Sequence, residues 1–320
     1  MEYAKEKYSV GALLYSPALN GKIADEVANE KLGKAYSLAL CLEDAISDDS
    51  VAKAEEQLEM TLKEIYQRHL SGSFYLPKIF VRVRSNDQLL RLNARLTAYN
   101  SILCGYIFAK YSISNADEYN STIIRINKTA KKKVYMMPIL ESRDIVSYVT
   151  RRDVLIELKN KIDSVKDYIL NVRVGGNDFS NEFAVRRHYD ETIYDILPIA
   201  QLLGDILTVF SGEYVVSGPV WEYFSSDNDE WKTGLQNELK LDRLNGFVGK
   251  TVIHPKQISV VNEALKVSKK DYEDAKEILN WSENGLQVGK SFAGERMNEV
   301  KTHTNWAVKT MILAEIYGIA

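Results

Sequence analysis

The sequence predicts a (β/α)8 barrel of the TIM type. Three observations carry that expectation. Eight short apolar runs alternate with segments of helical periodicity over about 250 residues, the length such a barrel takes. No GxGxxG follows the first run, which disfavours the runner-up, an open doubly wound sheet organised around a dinucleotide. No low-complexity linker divides the 320 residues, and 45% hydrophobic with 27% charged content is ordinary soluble globular composition.

The elements follow in order. Candidate strands are SVGALLYS (9–16), SLALCLE (37–43), KIFVRVR (78–84), GYIFAK (105–110), VYMMPILE (134–141), ILNVRVG (169–175), YVVSG (214–218) and TVIH (251–254). Helical segments fill the gaps at 20–34, 50–70, 87–97, 116–128, 143–161, 190–207 and 230–244, and a further pair spans 259–267 and 271–284. The barrel is assigned to residues 1–285. Residues 286–320 form an appendage: a polar loop over 285–301 carrying Gly285, Gly289 and Gly294, then a helix over 303–317. That helix has an apolar face of Trp306, Val308, Met311, Ile312 and Ile316, suited to a subunit interface.

A formal charge of −3 argues against a nucleic-acid binder. Cys41 and Cys104 lie in apolar runs without a CxxC partner and read as buried free thiols. The opening MEYAKEKYSV has no signal-like apolar core and no run is long enough to span a membrane, so a reducing, cytoplasmic setting is expected.

Barrel sites sit at the C-terminal ends of the strands. Those ends carry Glu43-Asp44, Arg82 to Arg84, Lys110, Glu141, Asp178 and His254. Glu141 closes the fifth strand and Asp178 follows the sixth, so both acids reach one rim, where two carboxylates suit a hard divalent cation. In KIFVRVR, alternation places Phe80, Arg82 and Arg84 on the inward face, and an inward Arg requires a carboxylate or an anionic ligand. Glu43 and Asp44 on the next strand are the candidate partners. In GGND, Gly175 and Gly176 permit close backbone approach and offer N–H groups to an oxyanion; the competing reading is a tight turn with Asp178 as helix N-cap. His254 reads as a hydrogen-bonded structural histidine. Glu182, Arg186, Arg187 and His188 read as a charged loop, and Lys131, Lys132 and Lys133 as surface charge on the face opposite the site.

These segments resemble the citrate lyase beta-subunit-like branch of the HpcH/HpaI aldolase superfamily. LCLEDAI (40–46) is similar to that family's LDLEDAV, FVRVRS (80–85) to its VVRIN segment, MPILES (137–142) to its IPLIET, and GGNDFS (175–180) to its metal-binding Asp segment. GFVGKTVIHPKQI (246–258) is very similar to its GFxGKxxIHPxQ. The resemblance implies Mg2+ held by Glu141 and Asp178. It implies that Arg82 contacts substrate oxygens, that Glu43 and Asp44 orient that arginine, and that Gly176 and Asn177 lend backbone amides to the substrate. Arg84 adds charge at the rim as a further substrate contact. Met297-Asn298-Glu299 stands where the family often has MID, which makes Glu299 the candidate acid reaching a neighbouring subunit's site in a trimer.

The chain also departs from the family. SPALNGK (16–22) replaces PGDRP, whose Arg binds a CoA or acyl-carrier phosphate, and leaves only Lys22; Cys41 replaces the first Asp of LDLEDA. The expected function is Mg2+-dependent lyase chemistry of the retro-aldol or Claisen type on a small oxo or hydroxy acid or its thioester. The alternatives are a barrel that binds small anions without turnover, and an enzyme acting on a phosphorylated substrate at Arg84 or Arg187.

Overall fold

Apolar runs with one face toward a barrel interior and the other toward helices form strands wherever both faces can be covered. The computed structural model describes residues 2–282 and 285–320. Its strands are Ala12–Pro17 (β1), Tyr36–Cys41 (β2), Lys78–Val83 (β3), Leu103–Phe108 (β4), Tyr135–Leu140 (β5), Val172–Val174 (β6), Val216–Ser217 (β7) and Lys250–Val252 (β8). All pair in parallel in the order β7-β6-β5-β4-β3-β2-β1-β8. A Gly218–Lys250 bridge spans the seam between β7 and β8, so the sheet is nearly closed into a barrel, as the sequence predicts. Among the described residues no helix is long and apolar enough to cross a membrane.

The helices are Glu2–Tyr8 (α1), Ile23–Ala28 (α2), Val51–Ser71 (α3), Asn86–Arg95 (α4), Ile113–Thr129 (α5), Arg151–Asp163 (α6), Gly176–Glu182 (α7), Leu197–Phe210 (α8), Glu230–Asn245 (α9), Lys256–Leu265 (α10) and Lys269–Leu279 (α11). Several differ from the sequence reading. The segment expected to be helical from 143 begins as a 3-10 turn at Arg143–Ile145, and α6 starts only at Arg151, whose guanidinium donates to the carbonyls of Ile145 and Val146 at 2.9 Å. The segment expected from 190 starts at Leu197 because Pro198 fits only the first turn of a helix. The helix expected over 271–284 ends at Leu279, and residues 283 and 284 lie outside the described residues. The loop expected over 285–301 contains an antiparallel hairpin, Val288–Lys290 (β9) with Met297–Glu299 (β10), whose turn includes Gly294 at φ 71°. The hairpin leads into Val300–Tyr317 (α12). Three-residue polar strands carry no readable alternation, which is why sequence periodicity misses them.

Two apolar layers hold the barrel. Leu13, Ala39, Phe80, Ile107 and Met137 fill its interior below the site. Leu38, Val81, Ile123, Leu155 and Ile206 belong to the shell between strands and helices. Each Leu, Ile, Val, Phe or Met among them contributes about 1.5–3 kcal/mol relative to exposure. The shell also holds an ionic clamp: buried Lys250 reaches Glu238 Oε1 at 2.8 Å and Asp242 Oδ2 at 2.7 Å, tying β8 to α9. Gly249, at φ 77°, immediately precedes this strand, and a Cβ there would lie 2.6 Å from the Gly11 carbonyl oxygen. At the N-terminal face α1 packs against α12. Lys5 pairs with Glu315, the Tyr135 hydroxyl bonds Glu6, and the Tyr317 hydroxyl donates to the Tyr8 carbonyl at 2.6 Å.

Candidate active site

The strand ends deliver their polar residues to one cavity of about 370 Å3 at the C-terminal face. Tyr15, Cys41, Asp44, Arg82, Glu141, Arg173, Gly175, Gly176, Asn177, Asp178 and Thr251 line it. Arg82 points inward from β3, as alternation requires, and is 6% exposed. Its Nη2 lies 2.9 Å from Glu43 Oε2, 3.1 Å from Asp44 Oδ2 and 3.3 Å from Glu141 Oε1. Its guanidinium also sits 5.6 Å from the centre of the Tyr15 ring. One buried cation on β3 thus gathers three acids from beyond the ends of β2 and β5, which compensates its desolvation.

Lys110, which the sequence places at a strand end without a role, completes the charge network. Its Nζ reaches Glu43 Oε1 at 2.9 Å and Asp44 Oδ1 at 3.3 Å. The hydrogen bond to Glu43, with both acids' charges, raises its pKa. Its backbone adopts φ 49°, and its N–H donates to Glu141 Oε1 at 2.9 Å. The left-handed backbone that turns its N–H onto Glu141 gives no sequence signal, so its role is visible only in the three-dimensional turn.

Glu141 and Asp178 both line the cavity and lie close enough to shift each other's protonation. Burial pushes Glu141 up to about 8; Arg82 opposes that shift and the neighbouring Asp178 charge adds to it. Burial also raises Asp178, with the hydrogen bond from Glu141 partly offsetting it. Two carboxyls this close hold a proton between them, and a divalent cation replaces that proton with a stronger counter-charge. Among the described residues no cluster of three or more His, Cys, Asp or Glu side chains is arranged around an ion. Glu141 and Asp178 are the two oxygen donors that could hold a hard cation here, whose other positions would fall to water and substrate.

The glycine pair is dictated by packing. A Cβ on Gly176 would lie 2.8 Å from both Ile193 Cδ1 and Pro219 Cβ. Gly175, not Asp178, is the N-cap residue of α7, so the N-cap alternative for Asp178 is corrected. Asp178 sits in the first turn, and its side chain is spent on Glu141 rather than on a cap.

Two expected site residues are not brought to the cavity. Arg84 turns away: its Nε donates to the Leu42 carbonyl at 2.6 Å, and its other nitrogens hold the Glu43 and Ile46 carbonyls and Asp48. It fastens the loop that presents Glu43 and Asp44, and the expectation that it touches substrate is corrected on that ground. Glu299 lies in β10, with its backbone N–H on His303 Nδ1 at 2.9 Å, and does not line the cavity of its own chain. Arg187 is buried against Glu238 at 3.4 Å and stacks 5.1 Å from the Trp221 ring centre, so it belongs to the outer shell and not to a charged lid. His254 stacks on Phe224, with ring centres 4.8 Å apart, and accepts from the Lys256 N–H at 3.2 Å, as a structural histidine would. Tyr15, Arg173 and Thr251 are polar cavity residues that the sequence reading passed over. Arg173 stands in NVRVG with the same alternation that singled out Arg82, and that signal was available.

Comparison with known proteins places this geometry. A family model described as C–C bond lyase of the TIM-barrel fold matches residues 4–319. Among solved structures the chain is similar to protein CitE of Mycobacterium tuberculosis in complex with magnesium, acetoacetate and coenzyme A, at 18% identity and TM-score 0.62, covering 97% of this chain and 99% of that one. It is similar to a citrate lyase from Burkholderia xenovorans at 14% identity and TM-score 0.70, covering 97% and 93% of the two chains. It is also similar to the citrate lyase beta subunit of M. tuberculosis complexed with oxaloacetate and magnesium, at 18% identity and TM-score 0.55, covering 81% and 98%. Likeness at such identities speaks to the fold. No curated protein matches the sequence.

Proposed function

Because this chain belongs to the C–C bond lyase family of the TIM-barrel fold, we propose that it is a Mg2+-dependent carbon–carbon lyase of the retro-aldol or Claisen type acting in the cytoplasm. The substrate is a small 3-hydroxy acid or its thioester. The bond between its α and β carbons breaks, the hydroxyl gives up its proton as its carbon becomes a carbonyl, which is that of a 2-oxo acid where this carbon carries a carboxylate, and the acyl fragment leaves as an enolate that is then protonated. The observation that carries this reading is the convergence of the Glu141 and Asp178 carboxyls beside Arg82 in one small cavity. The pair fits Mg2+ in donor chemistry, and magnesium is present with small oxo acids in two of the similar structures. When bound, the ion supplies Lewis-acid polarisation of the carbonyl and carboxylate oxygens.

The chain's own residues do the rest. Arg82 presents a planar cation to the oxygen on which charge develops, in a site of low dielectric. Glu43, Asp44 and Lys110 fix that guanidinium, so it does not reorganise during the reaction. The amides of Gly176 and Asn177, in the first turn of α7, lack intrahelical partners and are offered to substrate oxygens. The base that removes the hydroxyl proton is proposed as Glu299 of the partner subunit, delivered by the C-terminal appendage in a homotrimer or a multiple of one. Exposed Leu286, Phe292 and Met297, with partly exposed Trp306, suit that appendage to an interface.

Turnover of a panel of 3-hydroxy acids and their thioesters, followed by NMR with Mg2+ and with a chelator, tests the proposal. Cleavage that stops on chelation and returns with Mg2+ supports it. Ligand-induced stabilisation without turnover of any panel member would favour the second reading, a small-anion binding or regulatory barrel. That reading draws on Cys41 and on a first loop whose cation is the exposed Lys22. A phosphorylated substrate draws no support from Arg84, which spends its donors on protein acceptors, or from Arg187, which is buried against Glu238 and Trp221 and does not line the cavity.

A further inference from the structure

We propose that Arg173 receives a second carboxylate of the substrate, which makes this a site for diacids; the proposal rests on the lyase reading above and narrows it. Arg173 lies on β6 between Ile139 and Ser217 of the neighbouring strands and forms part of the cavity wall. It is 1% exposed. Its Nη2 donates to Thr251 Oγ1 at 2.6 Å, while Nε and Nη1 have no acceptor. Its other polar neighbour is the hydroxyl of Tyr15, a neutral group.

The other buried cations of the described chain differ in kind. Arg82 has three carboxylates, Arg151 has Asp205 at 2.8 Å, Arg187 has Glu238, and Lys250 has Glu238 and Asp242. Arg173 has no carboxylate within ion-pair distance among the described residues. A guanidinium excluded from water and lacking a counter-charge is costly to keep unless a ligand supplies one. The anion belongs to something that enters the cavity, because Arg173 shares that cavity with Arg82, Glu141 and Asp178. One fixed positive charge beside two hydroxyls balances a carboxylate; a phosphate dianion would remain half compensated. A small diacid therefore spans the site, with its reacting oxo end at Glu141, Asp178 and Arg82 and its distal carboxylate at Arg173 and Thr251.

The test is calorimetric titration in Mg2+ with acids matched in length: 2-oxobutyrate against oxaloacetate, and 2-oxopentanoate against 2-oxoglutarate. Wild-type protein is expected to bind at least one diacid more tightly than its matched monoacid by about tenfold or more. Arg173→Met is expected to erase that preference while leaving monoacid affinity within about twofold, and Thr251→Val to erode it in part. Equal affinity for each matched pair in the wild type overturns the proposal without any variant, so a variant that fails to fold does not obscure the answer. A preference that survives Arg173→Met also overturns it. Monoacid binding without diacid preference removes only the Arg173 assignment. Failure of every acid to bind the wild type removes the lyase reading as well.

Discussion

A methyl group at Gly175 would stand 2.3 Å from both the Cβ and the Oε2 of Glu141. Backbone and carboxylate therefore share one small volume, and the position of Glu141 depends on a hydrogen atom at residue 175. Gly175→Ala is predicted to swing the carboxylate away from Asp178. Mg2+ affinity should fall by about 10–100-fold, as with other disturbances of ligand orientation. Titration of the variant checks this, and wild-type affinity would mean that Glu141 is not a ligand.

Glu141→Gln and Asp178→Asn should each abolish measurable Mg2+ binding while the far-UV circular dichroism stays native. Either change also removes a buried acid from a crowded pair, so melting of the metal-free variant should equal or exceed that of the wild type. Unchanged metal affinity in both variants would sink the assignment.

The same pair sets a pH dependence. Glu141 is pushed from the ordinary 4.5 up to about 8, so between those values the folded chain holds a proton that the unfolded chain releases. Stability of the metal-free protein must then fall as pH rises from about 4.5 to about 8, by on the order of a few kcal/mol. Saturating Mg2+ should flatten the profile, and Mg2+ affinity should climb through the same window as the competing proton leaves. Differential scanning fluorimetry with and without chelator reads both effects, and a metal-free melting temperature that rose toward pH 8 would contradict them.

Arg82 offers a contrast between charge and shape. Arg82→Ala leaves Glu43, Asp44 and Glu141 without their shared cation and should destabilise the fold by about 3–5 kcal/mol. Arg82→Lys keeps the charge, so melting should change little, while kcat falls by about 100-fold for want of the planar donor. If the lysine variant collapsed in stability to the level of the alanine variant, Arg82 would be a structural ion pair first.

Glu299 can serve the site only from another subunit. Sedimentation at micromolar concentration should therefore give a trimer or a multiple of one. Mixing inactive Glu299→Gln with inactive Asp178→Asn protein should restore part of the activity through hybrid sites. A monomer, or no rescue on subunit exchange, would remove Glu299 from the mechanism.

Most of the barrel was legible because its strands are apolar on both faces and its loops are polar. Every predicted strand is present, and the motif residues Glu43, Asp44, Arg82, Glu141 and Asp178 converge as expected. What could not be read has specific causes. Helix α1 has too few residues for a period to emerge, and α7 begins at two glycines, which propensity alone assigns to a turn. Lys110 is placed at a strand end by the sequence, but its contact with Glu141 comes from a backbone angle that no side-chain pattern encodes. Arg84 obeys the alternation rule on paper, but β3 ends at Val83, and past the last rung of the ladder that rule no longer fixes a direction. Arg173 was missed although the rule that found Arg82 applied to it equally.

The hydrogen bond from Tyr317 to Tyr8 has a topological consequence. It brings positions 309 residues apart in sequence into contact on the face remote from substrate entry, so the fold is close to a circle of chain. A short peptide joining these positions, with a new opening cut in the exposed turn around Asp229, would give a circularly permuted protein whose eight strands keep their neighbours. By the same token, tags or domains fused near either position project from the floor of the barrel and leave its mouth free.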